Sequence, residues 1–199
     1  MDFDSFDPSG KLIAASYRET SFRIGLWESD TAAEVKLVPS TDVMVNEIAF
    51  SADGRLIATS GSDSVVRVWD ASTRHQVIEI TQPAVVRAID FSPDLAYLLT
   101  GGADNTARVW NLQTGQELAR IVQDGTIYHA RFSPNGQYVV TATSGNTARL
   151  WLWRRDDLIA EAGRRVSRNL TPNEWRQYLP DEQYQPTFSR LLNTQSAEK

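Results

Sequence analysis

Two histidines, a scatter of aspartates and one Ser-Gly-Lys step are the groups in this 199-residue chain that could do chemistry. His75 closes the polar stretch Ser72-Thr73-Arg74-His75 and reads as a solvated loop residue. His129 sits in Ile127-Tyr128-His129-Ala130-Arg131 and reads as a packed or hydrogen-bonded strand residue. There is no cysteine, which removes disulfides, thiolate metal sites and cysteine nucleophiles together. Two histidines without cysteine fall short of the usual zinc ligand set. Ser9-Gly10-Lys11-Leu12 has too little around it to be a phosphate-binding loop. Asp53, Asp63, Asp94 and Asp104 fall in separate turns and read as turn formers, not as an acid/base pair. The chemistry expected is therefore that of a binding surface, with no catalytic residue, metal or cofactor.

The composition agrees with that reading. Hydrophobic residues make up 41%, enough for a sizeable core, and the net charge is -5. An acidic balance lacks the basic footprint that nucleic-acid binding leaves. Lysine occurs only at Lys11, Lys36 and Lys199, so the positive charge is mostly arginine, suited to planar ion pairs. No apolar run is long enough to span a bilayer. The start, Met1-Asp2-Phe3-Asp4, is acidic where a signal peptide would be basic, and a cytoplasmic location is expected.

The elements that must carry such a surface repeat along the chain. Ala49-Phe50-Ser51-Ala52-Asp53-Gly54 returns as Asp90-Phe91-Ser92-Pro93-Asp94 and as Arg131-Phe132-Ser133-Pro134-Asn135-Gly136. Phe50, Phe91 and Phe132 share one spacing of 41, and so do Trp69, Trp110 and Trp151. A weaker copy, with Phe6-Asp7-Pro8-Ser9-Gly10 and Gly25-Leu26-Trp27, precedes them at slightly longer spacing. Inside the third copy, Val85–Phe91, Leu95–Thr100, Thr106–Trp110 and Gln116–Ile121 read as strands. They are rich in Val, Ile and Thr and are separated by Pro-Asp, Gly/Asn and Thr-Gly turns. Their apolar residues point to both faces, as in a sheet sandwiched between neighbours. Four strands in about forty residues make one antiparallel sheet per copy.

Phe-Ser-Pro-Asp/Asn-Gly, followed by Thr-Gly-Gly-Ala-Asp-Asn-Thr-Ala-Arg-Val-Trp-Asn, resembles the WD-repeat, β-transducin-like pattern. The resemblance covers roughly residues 1–153. It implies an all-β fold of about four β-propeller blades, near 1–40, 41–81, 82–122 and 123–153. It also implies a polar network in each blade, in which a turn His, a strand Ser/Thr, a tight-turn Asp and the Trp bond in series. Thr59, Asp63 and Trp69 match these positions in the second blade, and Thr100, Asp104 and Trp110 in the third. Thr141 and Trp151 match in the fourth, with Gly145 where Asp is expected. The His position holds Thr41, Gln82 and Gln123. An amide both donates and accepts, so the glutamines are expected to replace the imidazole in part, leaving looser blades and the fourth weakest.

Four copies make an incomplete ring, since the first is damaged at its start and the last lacks a fourth strand before Leu152-Trp153-Arg154. Three explanations stand: the C-terminal piece of a longer propeller, self-association of two copies through open blade edges, or an open arc. From Arg154 the period changes. Leu158, Ala162, Val166 and Leu170 recur at helical spacing. Thr171-Pro172-Asn173-Glu174 reads as a capping box starting a second short helix that Pro180 stops, giving a helical segment 154–180. Residues 181–199 are expected to be largely disordered. Arg164, Arg165 and Arg168 read as a solvated helix face or as contacts for an acidic partner. The stretches Asp157–Ala162 and Asn169–Leu179 resemble the terminal segment of long bacterial, cyanobacterial-type WD-repeat signalling proteins.

The resemblance implies a scaffold or sensor that binds protein partners, with no part for nucleic acid or membrane. Candidate contacts are the blade-equivalent positions Asn46, Arg87 and Tyr128, with Ser62, Ala103 and Ser144 just before the tight-turn position. Arg87 and Tyr128 lead, since Arg and Tyr are enriched at binding hot spots. A propeller enzyme with a central-channel site, or a decayed gene remnant, are the alternative readings.

Overall fold

The computed structural model describes residues 4–18, 22–36 and 43–165. Its strands form four separate antiparallel meanders. Blade 1 holds β1 (Asp4–Phe6), β2 (Leu12–Arg18), β3 (Phe22–Glu28) and β4 (Glu34–Lys36). Blade 2 holds β5 (Val45–Phe50), β6 (Leu56–Gly61), β7 (Val65–Asp70) and β8 (Gln76–Thr81). Blade 3 holds β9 (Val86–Phe91), β10 (Tyr97–Gly102), β11 (Thr106–Asn111) and β12 (Glu117–Val122). Blade 4 has three strands among the described residues, β13 (Ile127–Phe132), β14 (Tyr138–Thr143) and β15 (Ala148–Leu152). The first strands of successive blades lie side by side, β1 with β5, β5 with β9, and β9 with β13.

The first turn of each blade explains the Phe-Ser-x-Asp/Asn-Gly signature. The hydroxyls of Ser51 and Ser92 donate to Asp53 and Asp94 at 2.6 and 2.5 Å, and that of Ser133 donates to the Asn135 side-chain oxygen at 2.6 Å. The same three hydroxyls accept the amides of Leu56, Tyr97 and Tyr138, each at 2.9 Å, fixing the start of the second strand. The Ser51 bond holds the Asp53 carboxyl below its ordinary range. In blade 1, Asp7 does the serine's work and accepts the Leu12 amide at 2.7 Å. The fifth residue of the turn has a left-handed backbone, which Gly10, Gly54 and Gly136 adopt freely. Blade 3 places Leu95 there at φ 58. This is why its second strand starts at Tyr97 and not at Leu95, where the sequence pattern placed it.

Each blade has two unlike faces. One carries the Phe and Trp of the signature, and the other carries small and branched aliphatics. The aromatic face of each blade packs on the aliphatic face of the one before. Ala58, Val66, Val68 and Ile80 of blade 2 meet Val86, Ile89, Phe91, Leu98 and Trp110 of blade 3. Leu99, Ala107, Val109 and Ile121 of blade 3 meet Ile127, Ala130, Phe132, Val139 and Trp153 of blade 4. Ala14, Ile24 and Leu26 of blade 1 meet Val45, Ile48 and Ile57 of blade 2. A middle blade is covered on both sides, so β6 and β10 are buried almost throughout. Trp153 is a wedge that the sequence reading did not single out. It stacks edge-on against Tyr97 and Phe132 and donates its indole N–H to the Gly136 carbonyl at 3.0 Å.

Polar ties cross between the first strands. The Arg131 guanidinium donates to the Ile89 carbonyl at 2.7 Å and pairs with Glu47 at 3.3 Å, linking blades 2, 3 and 4. The Phe132 amide donates to the Asp90 carboxylate at 2.6 Å, and the Ser60 hydroxyl to the Val86 carbonyl at 3.2 Å. Burial pushes the Glu47 carboxyl above its ordinary value despite Arg131, and burial does the same to Asp90 despite the Phe132 amide.

His129 corrects the sequence reading. It lies in β13, but it is exposed. It sits on the far side of blade 4 from Ala130 and Phe132, where no further described blade covers it.

The chain divides into two compact units, Met1–Trp153 and Arg154–Lys199. The described part of the second contains one helix, α1 (Arg155–Arg165). Asp156 and Asp157 in its first turn and Arg164 and Arg165 in its last suit the helix dipole. Glu161 pairs with Arg164 at 3.2 Å and Arg165 at 2.9 Å, so these two arginines form a solvated, self-paired face. Val166, Arg168, Leu170, the capping box at Thr171–Glu174, Pro180 and residues 181–199 lie outside the described residues.

Two outcomes are expected. Leu95→Gly relieves a left-handed backbone that costs an L residue about 1–2 kcal/mol, against about 0.5–1 kcal/mol of extra entropy that a glycine loses on folding, so a net gain of up to about 1 kcal/mol is read as a higher urea midpoint at unchanged slope. A lower midpoint would show that the half-buried Leu95 side chain outweighs its backbone. Glu47 has a folded pKa above its unfolded one, so the native state binds more protons and its stability contribution falls as pH rises through the carboxyl range. The stability of Glu47→Gln relative to the parent should therefore be highest at neutral pH and decline towards acid. Denaturant titrations across that range giving the opposite slope would refute the assignment.

Candidate protein-binding surface

In each of blades 2, 3 and 4 the indole N–H of the third-strand tryptophan donates to the second-strand threonine hydroxyl. The distances are 3.2 Å for Trp69 to Thr59, 2.9 Å for Trp110 to Thr100 and 3.0 Å for Trp151 to Thr141. The pair locks the centre of the sheet, because an unmade indole bond at that depth would be costly. The aspartates are engaged elsewhere. Asp63 accepts from Arg67 at 2.8 Å and Asp104 from Arg108 at 2.6 Å, each arginine standing two residues before its tryptophan. Glu79 and Glu117 on the outer strands flank the same guanidiniums at 3.4 Å. Burial would raise the Asp104 carboxyl, but Arg108 and Thr106 hold it below its ordinary value.

The glutamines at the vacant His position behave differently from one another. The Gln123 amide donates to the Thr141 hydroxyl, giving blade 4 a Gln–Thr–Trp chain. Gln82 instead accepts from Arg108 at 3.1 Å. One amide atom of each, Gln82 Nε2 and Gln123 Oε1, is buried without a hydrogen-bond partner. Thr41 lies outside the described residues. In blade 4 Gly145 supplies no carboxylate, and Arg149 turns out to the exposed Asp124 at 3.1 Å.

The candidate contact residues share one backbone device. Pairing between first and second strands shifts register between Val45 and Glu47, between Gly101 and Gly102, and between Ile127 and His129. The first-strand residues left unpaired are Asn46, Arg87 and Tyr128. A bulge of this kind re-aims the side chain that it carries. Directly beside each bulge, the amide of the residue before the tight-turn position reaches back to the first strand. Ser62 donates to the Met44 carbonyl at 2.8 Å, Ala103 to Val85 at 2.9 Å and Ser144 to Thr126 at 2.9 Å. The structure thus brings the six positions together as three blade-by-blade pairs. Arg87, Tyr128, Ser62, Ala103 and Ser144 are exposed, and Asn46 is half-buried, its Nδ2 buried with no hydrogen-bond partner. The Arg87 guanidinium lies 5.5 Å from the centre of the Tyr128 ring, a cation–π contact between blades 3 and 4. Among the described residues no group of three His, Asp or Glu side chains comes together to hold a metal.

Gly145→Asp should return to blade 4 the carboxylate that blades 2 and 3 place beside this arginine. A Cβ at Gly145 meets nothing closer than the Thr143 hydroxyl at 3.6 Å. A gain of up to about 1 kcal/mol is expected for a half-exposed pair that also replaces a glycine, seen as a higher thermal midpoint. The gain should vanish in the Arg149→Gln background, and a gain that persists there would sink the pairing.

The family pattern "WD domain, G-beta repeat" matches residues 36–70, 75–111 and 116–151. The second and third matched segments join the outer strand of one blade, β8 or β12, to the three inner strands of the next. "Periodic tryptophan protein 2 homolog" of Schizosaccharomyces pombe is 30% identical over 73 residues, 37% of this chain and 8% of that protein. "Nuclear distribution protein PAC1" of Arthroderma benhamiae is 30% identical over 73 residues, 37% of this chain and 15% of that protein, as is its namesake in Trichophyton verrucosum. The chain spans less than a fifth of the length of these curated relatives. With the Phe and Trp positions, the threonine locks and the four-stranded meanders in register with that pattern, the chain belongs to the WD domain, G-beta repeat family.

Proposed function

We propose that this chain is a non-catalytic protein-interaction scaffold or sensor module whose partner is held by Arg87 and Tyr128, with Asn46, Ser62, Ala103 and Ser144 around them. The observation that carries the reading is the repeated bulge. The same backbone irregularity presents a different side chain in each of three successive blades, and two of these, an arginine and a tyrosine, touch across a blade boundary. A guanidinium beside a phenol ring suits a partner that offers a carboxylate next to an apolar side chain.

The module is read as the C-terminal part of a larger, bacterial-type WD-repeat signalling protein working in the cytoplasm. The resemblance of Asp157–Ala162 and Asn169–Leu179 to such proteins supports this. No helix among the described residues is long and apolar enough to cross a membrane.

Partners captured on the immobilised chain and identified by mass spectrometry should be retained at least about thirtyfold more weakly by the Arg87→Ala, Tyr128→Ala double variant. Both side chains are exposed, so its circular dichroism should match the parent. Undiminished retention by a folded double variant would defeat the assignment.

A further inference from the structure

The ion pair that crosses three blades is not part of the repeat. One residue before the signature phenylalanine, blades 2, 3 and 4 hold Ala49, Asp90 and Arg131, and three residues before it they hold Glu47, Ala88 and His129. The serine turns and the threonine–tryptophan pairs recur and stay within one blade. Arg131, Asp90 and Glu47 occur once and act between blades. From β13 the guanidinium reaches over β9 to β5. Its Nη1 donates to the Ile89 carbonyl at 2.7 Å and its Nη2 to the Glu47 carboxylate at 3.3 Å. The next amide of β13, that of Phe132, donates to Asp90 at 2.6 Å. A guanidinium is a planar fork of fixed shape, so contacts from its two ends set both the distance and the angle between the strands that they touch. The Arg131 and Glu47 side chains are 49% and 21% exposed, and an ion pair that open adds little to stability. What it adds is position. Apolar burial is non-directional and resists separation of the blades. The directed bonds of this clamp resist sliding of one first strand along the next.

The strands so clamped are the three that carry the bulges. Asn46 adjoins Glu47, Arg87 stands three residues before Asp90, and Tyr128 three before Arg131. We infer that Arg131, with Glu47 and Asp90, is a positioning residue for partner binding. It fixes the spacing of Asn46, Arg87 and Tyr128 along their row and acts through that spacing. The Arg87–Tyr128 contact crosses the same boundary between blades 3 and 4 that Arg131 bridges to Ile89. The inference rests on the reading of this row as the partner surface, and a measurement on the free chain tells the two apart.

The chain has no cysteine, so Ser62→Cys with Ser144→Cys places two spin labels only at the exposed turns beside the bulges of blades 2 and 4. Pulsed dipolar spectroscopy on the whole chain then reads the distances across the row without any partner. Arg131→Gln should shift or broaden that distribution. Glu47→Gln keeps the bond to Ile89 and should do so less, and it carries the test if Arg131→Gln does not fold. Ser92→Ala loses turn bonds at the other end of β9. It should lower the urea midpoint and leave the distribution unchanged. In the unlabelled chain, retention of the partners captured by the parent should fall at least about fivefold in Arg131→Gln and stay unchanged in Ser92→Ala. In the Glu47→Gln background Arg131→Gln should lose less, since both act on one tie. An unaltered distance distribution in Arg131→Gln would overturn the clamp, whether or not Arg87 and Tyr128 hold a partner. An altered distribution with undiminished retention, or an equal loss of retention in Ser92→Ala, would overturn the positioning role. Undiminished retention by the Arg87→Ala, Tyr128→Ala variant would remove the row and the positioning role together, with the distances still reporting on the clamp.

Discussion

The packing of an aromatic blade face on the aliphatic face of the blade before it is the contact on which the rest of this molecule depends. A four-stranded meander of some forty residues cannot bury enough apolar surface by itself to offset its ordering entropy. Stacked against neighbours on both sides, it buries nearly all of its second and third strands. The tryptophan serves this joint twice. Its rings fill the gap between sheets, and its N–H is spent on a threonine hydroxyl of its own blade. The large side chain is thereby held in one orientation and leaves no polar atom unsatisfied.

Around that joint the polar groups divide the labour. Serine, with its aspartate or asparagine, shapes the turn that starts the second strand. Arginine, with an aspartate of the tight turn and a glutamate of the outer strand, braces the third strand from its rim. Arg131, Glu47 and Asp90 tie the first strands of three blades. Among the described residues, blade 4 lacks two of these braces at once, the carboxylate at Gly145 and a fourth strand. It compensates with Trp153, whose indole fills a space that the smaller Ala71 and Leu112 occupy in the other joints.

The bulges connect this scaffold to binding. A residue left out of register makes no ladder pair with the second strand, and at Arg87 and Tyr128 its side chain is exposed. It is free to vary without disturbing the joint. Repetition therefore supplies a row of positions with fixed backbone geometry and unconstrained chemistry, filled here by an amide, a guanidinium and a phenol. The tight-turn residues beside them add small side chains that leave the row accessible.

The residues alone determined the kind of blade, the phase of its Phe and Trp positions and the threonine that each tryptophan of blades 2, 3 and 4 meets. Every copy places the same residue type in the same environment, so periodicity in the chain maps directly onto periodicity in space. The first turn was legible for the same reason, although Leu95 taking a glycine's conformation moved the following strand. What only the tertiary structure decided arises between copies. The bulge at Asn46, Arg87 and Tyr128 is a property of strand pairing, invisible in any single strand. The contact of Arg87 with Tyr128, and of Arg131 with Glu47 84 residues away, exists because neighbouring blades set their first strands side by side. The wedge of Trp153 and the exposure of His129 depend likewise on which face of a blade is covered. Local spacing cannot encode that, because coverage belongs to the neighbour and not to the strand.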